Sequence, residues 1–358
     1  MRLGTVLGTR PQLVKASVVS SALVAAGVEE ILVDTGQHYD EDMAGIFFSE
    51  LGIPRPFAQL GISSASHGVM TGRMMEALEP LLARESLDAL LVYGDTNSTL
   101  AGALVGSKLS IPIVHVEAGL RSFNRGMPEE VNRVVADHLS SLLFAPTEGA
   151  VANLLAEGID RSNIVLSGDV MYDVALDSGA KARDEVLDRV GVRGREYILA
   201  TVHRASTVDD GPVLASALAG LAAVAVDIPV VLPLHPRTRG ALSALDVPGI
   251  DALIIVAPVG YLEMAALERS ARLVVTDSGG VQKEAFFHRV PCVTLRTETE
   301  WTELVDLGWN RLAEPGDAVA VEKAIRAGLD AGPGRDGAPY GDGRSAHTIA
   351  ATVLERFG

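Results

Sequence analysis

The sequence predicts an α/β protein of two Rossmann-like, doubly wound domains. Short apolar runs alternate with longer helical patterns along the whole chain, as parallel sheets covered on both faces require. The runs form two separate series, and two doubly wound domains are the economical way to bury both. A length of 358 residues suits two domains of roughly 150 residues each.

The first series reads Leu3–Leu7, Glu30–Asp34, Ala89–Tyr93, Ile111–Val116 and Leu142–Ala145, with helices over Gly68–Ala83 and Ser98–Leu109. Gly8-Thr9-Arg10-Pro11 ends its first strand: Gly8 permits a tight turn and Pro11 suits a first helical position. Free amides there attract an anion, toward which Arg10 and Lys15 could both point; the same residues also read as a plain helix start with solvated cations. The second series reads Tyr197–Val202, Val230–Leu234, Leu253–Val256, Leu273–Thr276 and Cys292–Leu295, with helices over Pro212–Val226 and Val319–Ala331. A boundary near Ser167-Gly168-Asp169 gives domains 1–168 and 169–345. The Gly/Pro-rich stretch from Gly332 to Gly343 reads as a crossover, because the amphipathic helix Ala346–Phe357 after it needs a surface to cover. Residues 346–358 therefore return to the first domain.

Composition removes several classes. A net charge of −16 argues against nucleic acid and anionic membranes as partners. No apolar run reaches the ~18 residues of a membrane helix, and the first strand starts at Arg2 without a signal-peptide pattern. The single Cys292 excludes an internal disulfide and reads as core, so a cytoplasmic setting is expected. The eight histidines are scattered, with no metal spacing. The first strand lacks G-x-G-x-x-G and the chain lacks G-x-S-x-G, so neither a dinucleotide cofactor nor a serine nucleophile is expected.

The chemistry concentrates at strand ends. Asp95 follows the run Ala89–Tyr93, Glu117 follows Ile111–Val116, and Glu129 stands where a helix starts after Pro128. Parallel sheets place ligands beyond the carboxyl ends of their strands, so three acids there can share one crevice and handle a substrate proton. His203 and His235 end strands of the second domain, where each can donate to phosphate or move a proton; structural roles remain open for both. Thr276-Asp277-Ser278-Gly279-Gly280 is a strand running into a small-residue turn with a helix N-terminus behind it. Ser278 can cap that helix, Gly279 and Gly280 allow close approach of a diphosphate, and Glu284 suits a ribose diol. The polar loop Arg296–Glu303 carries Trp301, either closing over a ligand or packing the indole beneath itself.

Taken together, Gly8-Thr9-Arg10-Pro11, Thr35-Gly36-Gln37-His38, Gly94-Asp95-Thr96, His115-Val116-Glu117-Ala118-Gly119-Leu120-Arg121, Pro128-Glu129-Glu130 with Asn132-Arg133, Asp277-Ser278-Gly279-Gly280 and Tyr340-Gly341-Asp342-Gly343 resemble the non-hydrolysing UDP-N-acetylglucosamine 2-epimerases over nearly the whole chain. The resemblance implies a glycosyltransferase-B-like pair of domains with an interdomain cleft, a homodimer, and interconversion of UDP-GlcNAc and UDP-ManNAc without added cofactor. UDP leaves as the C2 proton is taken, giving 2-acetamidoglucal, and then adds back. By motif match, Asp95, Glu117 and Glu129 would be catalytic and His203 would assist UDP departure. Arg10, Ser278, Gly279 and Gly280 would hold phosphate, Glu284 the ribose, and Lys15 and Arg133 would be supporting cations.

Three departures from the pattern matter. No second Gln follows Gln37-His38 in the run to Gly45, which takes away a residue of the family's allosteric loop and predicts hyperbolic kinetics. Gln12 replaces a common Glu. Thr299-Glu300-Trp301-Thr302-Glu303 replaces Thr-Glu-Arg-Pro-Glu. These variants, with His235-Pro236-Arg237-Thr238, look like the branch acting on UDP-2,3-diacetamido-2,3-dideoxyglucuronic acid, whose carboxylate Arg237 or Arg296 could serve. The alternative classes are a glycosyltransferase of the same architecture, a hydrolysing relative and a non-catalytic nucleotide-sugar sensor.

Overall fold

Two all-parallel sheets organise the chain in a computed structural model that describes residues 1–37 and 53–358. The chain divides into two compact units, Met1–Val174 with Ala338–Gly358, and Ala175–Gly337.

In the first unit the sheet contains β1 (Arg2–Leu7), β2 (Glu29–Asp34), β3 (Ala58–Gln59), β4 (Ala89–Tyr93), β5 (Ile113–Val116), β6 (Leu142–Ala145) and β7 (Ile164–Leu166). Their spatial order is β3-β2-β1-β4-β5-β6-β7. The chain runs outward from β1, then crosses back to β4, so the winding reverses between β1 and β4. Helices α1 (Arg10–Ala25), α2 (His67–Leu82), α3 (Asn97–Lys108), α4 (Pro128–Leu139) and α5 (Glu148–Ala156) connect the strands. Val6, Leu90, Val92 and Ile113 of the sheet bury against Met74, Leu78, Ala101 and Val105. Helix α3 approaches closely because Gly102 and Gly106 face the strands. A Cβ on Gly106 would press into Ile113 Cδ1 and lie 2.8 Å from Leu90 Cδ2. Thr96 caps α3 by accepting from Thr99 N.

Helix α6 (Val170–Ala180) spans the division between the units. Its start is tied to the first unit, where the Asp173 carboxylate accepts from Ser345 N at 3.0 Å and Ala346 N at 2.8 Å. The expected boundary near Gly168 lies just ahead of that division.

The second unit repeats the plan with β8 (Ile198–Thr201), β9 (Val230–Pro233), β10 (Ile254–Val256), β11 (Leu273–Thr276), β12 (Cys292–Thr294) and β13 (Asn310–Leu312), in the order β10-β9-β8-β11-β12-β13. Its winding reverses between β8 and β11. The helices there are α7 (Glu185–Arg189), α8 (Ala205–Val208), α9 (Gly211–Ala225), α10 (Pro236–Leu242), α11 (Tyr261–Ser270), α12 (Gly279–Phe287), α13 (Thr302–Asp306) and α14 (Ala318–Ala331). The final helix α15 (Ser345–Phe357) belongs to the first unit and packs against α1.

Three strands were absent from the sequence reading: β3, β7 and β13. All are edge strands of two or three residues that bury only part of their length. None reaches the four or more consecutive apolar residues that mark an interior strand; even β7, apolar throughout, is only Ile164-Val165-Leu166. β5 begins at Ile113 because Pro112 has no N–H to pair; it lends only its carbonyl, to Leu90 N at 2.8 Å. Cys292 is buried, and burial pushes its thiol up to about 12. Among the described residues no helix is long and apolar enough to cross a membrane, and no group of three or more His, Cys, Asp or Glu could hold a metal.

Candidate functional site

In the first unit the expected carboxylates gather where the winding reverses, the usual ligand position in such sheets. A cavity of about 210 Å³ opens there, lined among others by Lys15, His67, Asp95, Asn97, Glu129 and Asn132. Asp95 follows β4 and is ion-paired with Arg133 of α4. Glu117 follows β5 and is ion-paired with Lys15 of α1. Glu129 stands in the first turn of α4. Gly94 lies between the first two acids, with its Cβ direction 3.2 Å from Glu117 Oε2. At φ +60° Gly94 occupies left-handed space that costs glycine least. Glu117 sits at φ +69°, where a side chain is strained. Such strain persists only where surrounding contacts over-determine it. Lys15 and Arg133, expected as supporting cations, thus each hold one of the acids.

Helix α4 organises this end of the sheet through one face. Glu129, Arg133 and Asp137 recur every four residues and share a stripe. Asn132 Nδ2 donates to the Asp95 carbonyl at 2.9 Å. The neighbouring Glu130 turns away from the cavity and accepts from Ser122 N, Ser122 Oγ and Phe123 N, each at 2.9 Å. Burial opposes its ionisation, but these donors and Arg133 hold Glu130 below the usual carboxylate range. Glu130 therefore fastens the 122–123 loop while Glu129 faces the cavity.

Several cavity residues carry no role in the sequence reading. Gln12, 2% exposed, stitches two turns together. Its Oε1 accepts from Gly8 N at 2.9 Å and Thr9 N at 3.2 Å, and its Nε2 donates to the Tyr93 carbonyl at 2.8 Å. The Thr9-x-x-Gln12 spacing, a helix-capping pattern, was the signal available for it. His67 lines the cavity with Nδ1 3.4 Å from Asn97 Oδ1; nothing local in the sequence marks it. Gln37 Oε1 accepts from Ser98 N at 3.1 Å. Residues His38 to Gly45, on which the allosteric expectation rests, lie outside the described residues. Arg10 opens α1 and is exposed.

In the second unit the expected groups collect at the ends of β8, β9 and β11. The rings of His203 and His235 lie 5.4 Å apart. Burial first, then His203 and Arg237, lower the pKa of His235. His235 caps α10, its Nδ1 accepting from Arg237 N at 3.2 Å. Asp277 is fully buried and accepts from the backbone amides of His203 and Arg204, which ties the end of β11 to the end of β8.

Ser278 occupies the N-cap of α12, but its hydroxyl makes no capping bond, contrary to expectation. Its own amide instead donates to Thr276 Oγ1 at 2.9 Å. The first amides of α12, at Gly279 and Gly280, so lack a side-chain cap, and uncapped amides at a helix start suit an anion. Trp301 Nε1 donates to the Gly279 carbonyl at 2.9 Å, and the Lys283 ammonium lies 4.2 Å above the Trp301 ring. The 296–303 loop is thereby anchored to the glycine turn. Glu284 is half-buried and accepts from the Tyr261 hydroxyl at 3.5 Å. The two arginines considered for a sugar carboxylate already have partners: Arg296 pairs with Glu300 at 2.7 Å and Arg237 with Asp209 at 2.7 Å.

Residues 22–354 match the family model described as UDP-N-acetylglucosamine 2-epimerase. The chain is 49% identical to the UDP-2,3-diacetamido-2,3-dideoxy-D-glucuronate 2-epimerase of Pseudomonas aeruginosa, covering 98% of each chain. It is 42% identical to the UDP-N-acetylglucosamine 2-epimerase of Methanocaldococcus jannaschii, again over 98% of each. Among solved structures it resembles that enzyme in complex with UDP-GlcNAc and UDP, with TM-score 0.84 and 41% identity over 99% of this chain and 100% of that one. The Neisseria meningitidis UDP-GlcNAc 2-epimerase bound to UDP-GlcNAc superposes with TM-score 0.85 at 26% identity, over 99% and 100% of the two chains.

Proposed function

The chain belongs to the UDP-N-acetylglucosamine 2-epimerase family, and we propose that it inverts C2 of a UDP-2-acetamido sugar, with UDP-GlcNAc and UDP-ManNAc as the pair. It is an isomerase of UDP-sugars. The observation that carries the residue assignment is that Asp95 and Glu129 line the cavity at the winding reversal of the first unit, while Glu117 pairs with Lys15 of the same lining and Asp95 with Arg133.

The C2–H bond is barely acidic, so its proton must leave together with UDP. In the elimination, one ionised carboxylate takes the C2 proton. The C–H electron pair becomes the C1=C2 double bond of 2-acetamidoglucal, and the C1–O bond to UDP breaks. In the return step UDP oxygen attacks C1 while a protonated group delivers hydrogen to the opposite face of C2. Two faces need two acid–base groups, which accounts for more than one carboxylate at the site. To the second unit we assign the nucleotide: Ser278, Gly279 and Gly280 hold phosphate, Glu284 takes the ribose, and His203 with His235 supports the departing diphosphate.

A second reading is favoured by the 49% relative: the same chemistry on UDP-2,3-diacetamido-2,3-dideoxyglucuronic acid. NMR of each UDP-sugar with the enzyme in D2O decides. The expected outcome is deuterium at C2 and a mixture of C2 epimers without any acceptor. No exchange with either sugar, or transfer only on adding an acceptor, overturns the proposal. We further propose a cytoplasmic homodimer as the working form, which sedimentation checks.

A further inference from the structure

We infer that His115, with Asp137, is the positioning residue that sets the backbone beneath Asp95 and Glu117; this rests on the assignment of those two carboxylates to the proton transfers. The His115 ring is fully buried in β5, two residues before Glu117. Its Nε2 donates to the Gly94 carbonyl at 2.7 Å, the peptide oxygen directly before Asp95. Its Nδ1 donates to Asp137 Oδ1 at 2.7 Å. The other carboxylate oxygen accepts from Gly119 N at 3.1 Å, two residues after Glu117, and lies 2.7 Å from Arg121 Nη1.

One imidazole therefore ties the turn carrying Asp95 to the helix carrying Glu129, and its carboxylate partner ties that helix to the turn carrying Glu117. The bonds meet two left-handed glycines beside the acids, Gly94 at φ +60° before Asp95 and Gly119 at φ +81° two residues after the strained Glu117 at φ +69°. Both are turns whose peptide planes need fixing, and charge-assisted bonds in a dry setting fix them more firmly than neutral ones. Burial opposes ionisation of Asp137, but His115 and Arg121 prevail and hold it below the usual range. A buried histidine serving only the core needs a partner for each nitrogen. It does not need those partners to be the peptide before one acid and the carboxylate that grips the turn after another.

The test compares His115→Gln, Asp137→Asn and, as a control at the far end of the network, Glu157→Gln. Glu157 touches Arg121 on its outer side and no cavity residue. Calorimetric UDP titration counts the folded sites, and kcat is expressed per site. The expected result is a fall in kcat of about 100-fold for His115→Gln and Asp137→Asn, the scale of a misplacement near 1 Å. KM and the UDP Kd should stay within about threefold of the parent, and C2 deuterium exchange should fall in step with kcat. Glu157→Gln should retain the parent kcat. If kcat per site stays within threefold in both network variants, whatever their Tm, the pair is core only and the inference fails. Should a variant not fold, 15N-histidine labelling of the parent enzyme still tests the bridge. A slowly exchanging Nε2 proton on His115 supports it; fast exchange of that proton overturns it. A parent enzyme without C2 exchange defeats the carboxylate assignment itself, whereas an active parent with equally active variants defeats only this inference.

Discussion

At the scale of single residues, two strand-end acids of the first unit are distinguished by their partners. Asp95 meets Arg133 and Glu117 meets Lys15, so each carboxylate is oriented by a cation. Asp95→Asn and Glu117→Gln should each lower turnover by orders of magnitude while circular dichroism and Tm stay close to the parent; near-normal turnover in either variant would remove that residue from the chemistry. These acids were legible because each follows an apolar run, and a strand end has a known destination in an α/β sheet. Gln12 was legible only as a departure from a familiar pattern. Its role came from polar neighbours in two turns far apart in sequence, Gly8 and Thr9 in one and Tyr93, Thr96 and Thr99 in the other. His115 and Asp137 stand 22 residues apart, and no local rule pairs them.

Among the elements, α3 and α4 hold the site in place. Helix α3 lies close to the sheet because glycine occupies its inner face at positions 102 and 106. Gly106→Ala should cost about 1–3 kcal/mol of stability through overpacking against Ile113 and Leu90. Urea denaturation monitored by fluorescence measures it; an unchanged midpoint would mean that the helix yields at no cost. Helix α4 begins at Pro128, where a missing N–H is harmless, and its four-residue spacing delivers Glu129, Arg133 and Asp137 along one stripe. That spacing was visible in the sequence, although only its first two members drew notice there. The short edge strands were not visible, because a strand that buries one face for two or three residues leaves almost no periodic signal.

Across the whole molecule, the stability carries one pH signature that its catalytic chemistry does not share. Glu268 of α11 is fully buried, with Oε1 lacking a hydrogen-bond partner. Burial first, then the nearby Glu284, push its carboxyl well above the ordinary value of 4.5. Below that value the folded and unfolded chains both carry the proton and nothing is lost. As pH rises through it, the unfolded chain releases the proton while the folded one retains it, so stability falls. Glu268→Gln should therefore melt with the parent near pH 4.5 and above it at pH 8, by about 1–3 kcal/mol. Scanning calorimetry at both pH values checks this, and an equal or lower Tm at pH 8 refutes it. By itself the sequence determined the two parallel sheets, the strand-end acids and the glycine turn after β11, because apolar runs and turn residues write local structure directly. The tertiary structure alone decided that Lys15 holds Glu117, that Glu130 turns away where Glu129 does not, and that His115 joins three segments. Those outcomes depend on which side chains meet across distant turns, and a meeting in space has no signature along the chain.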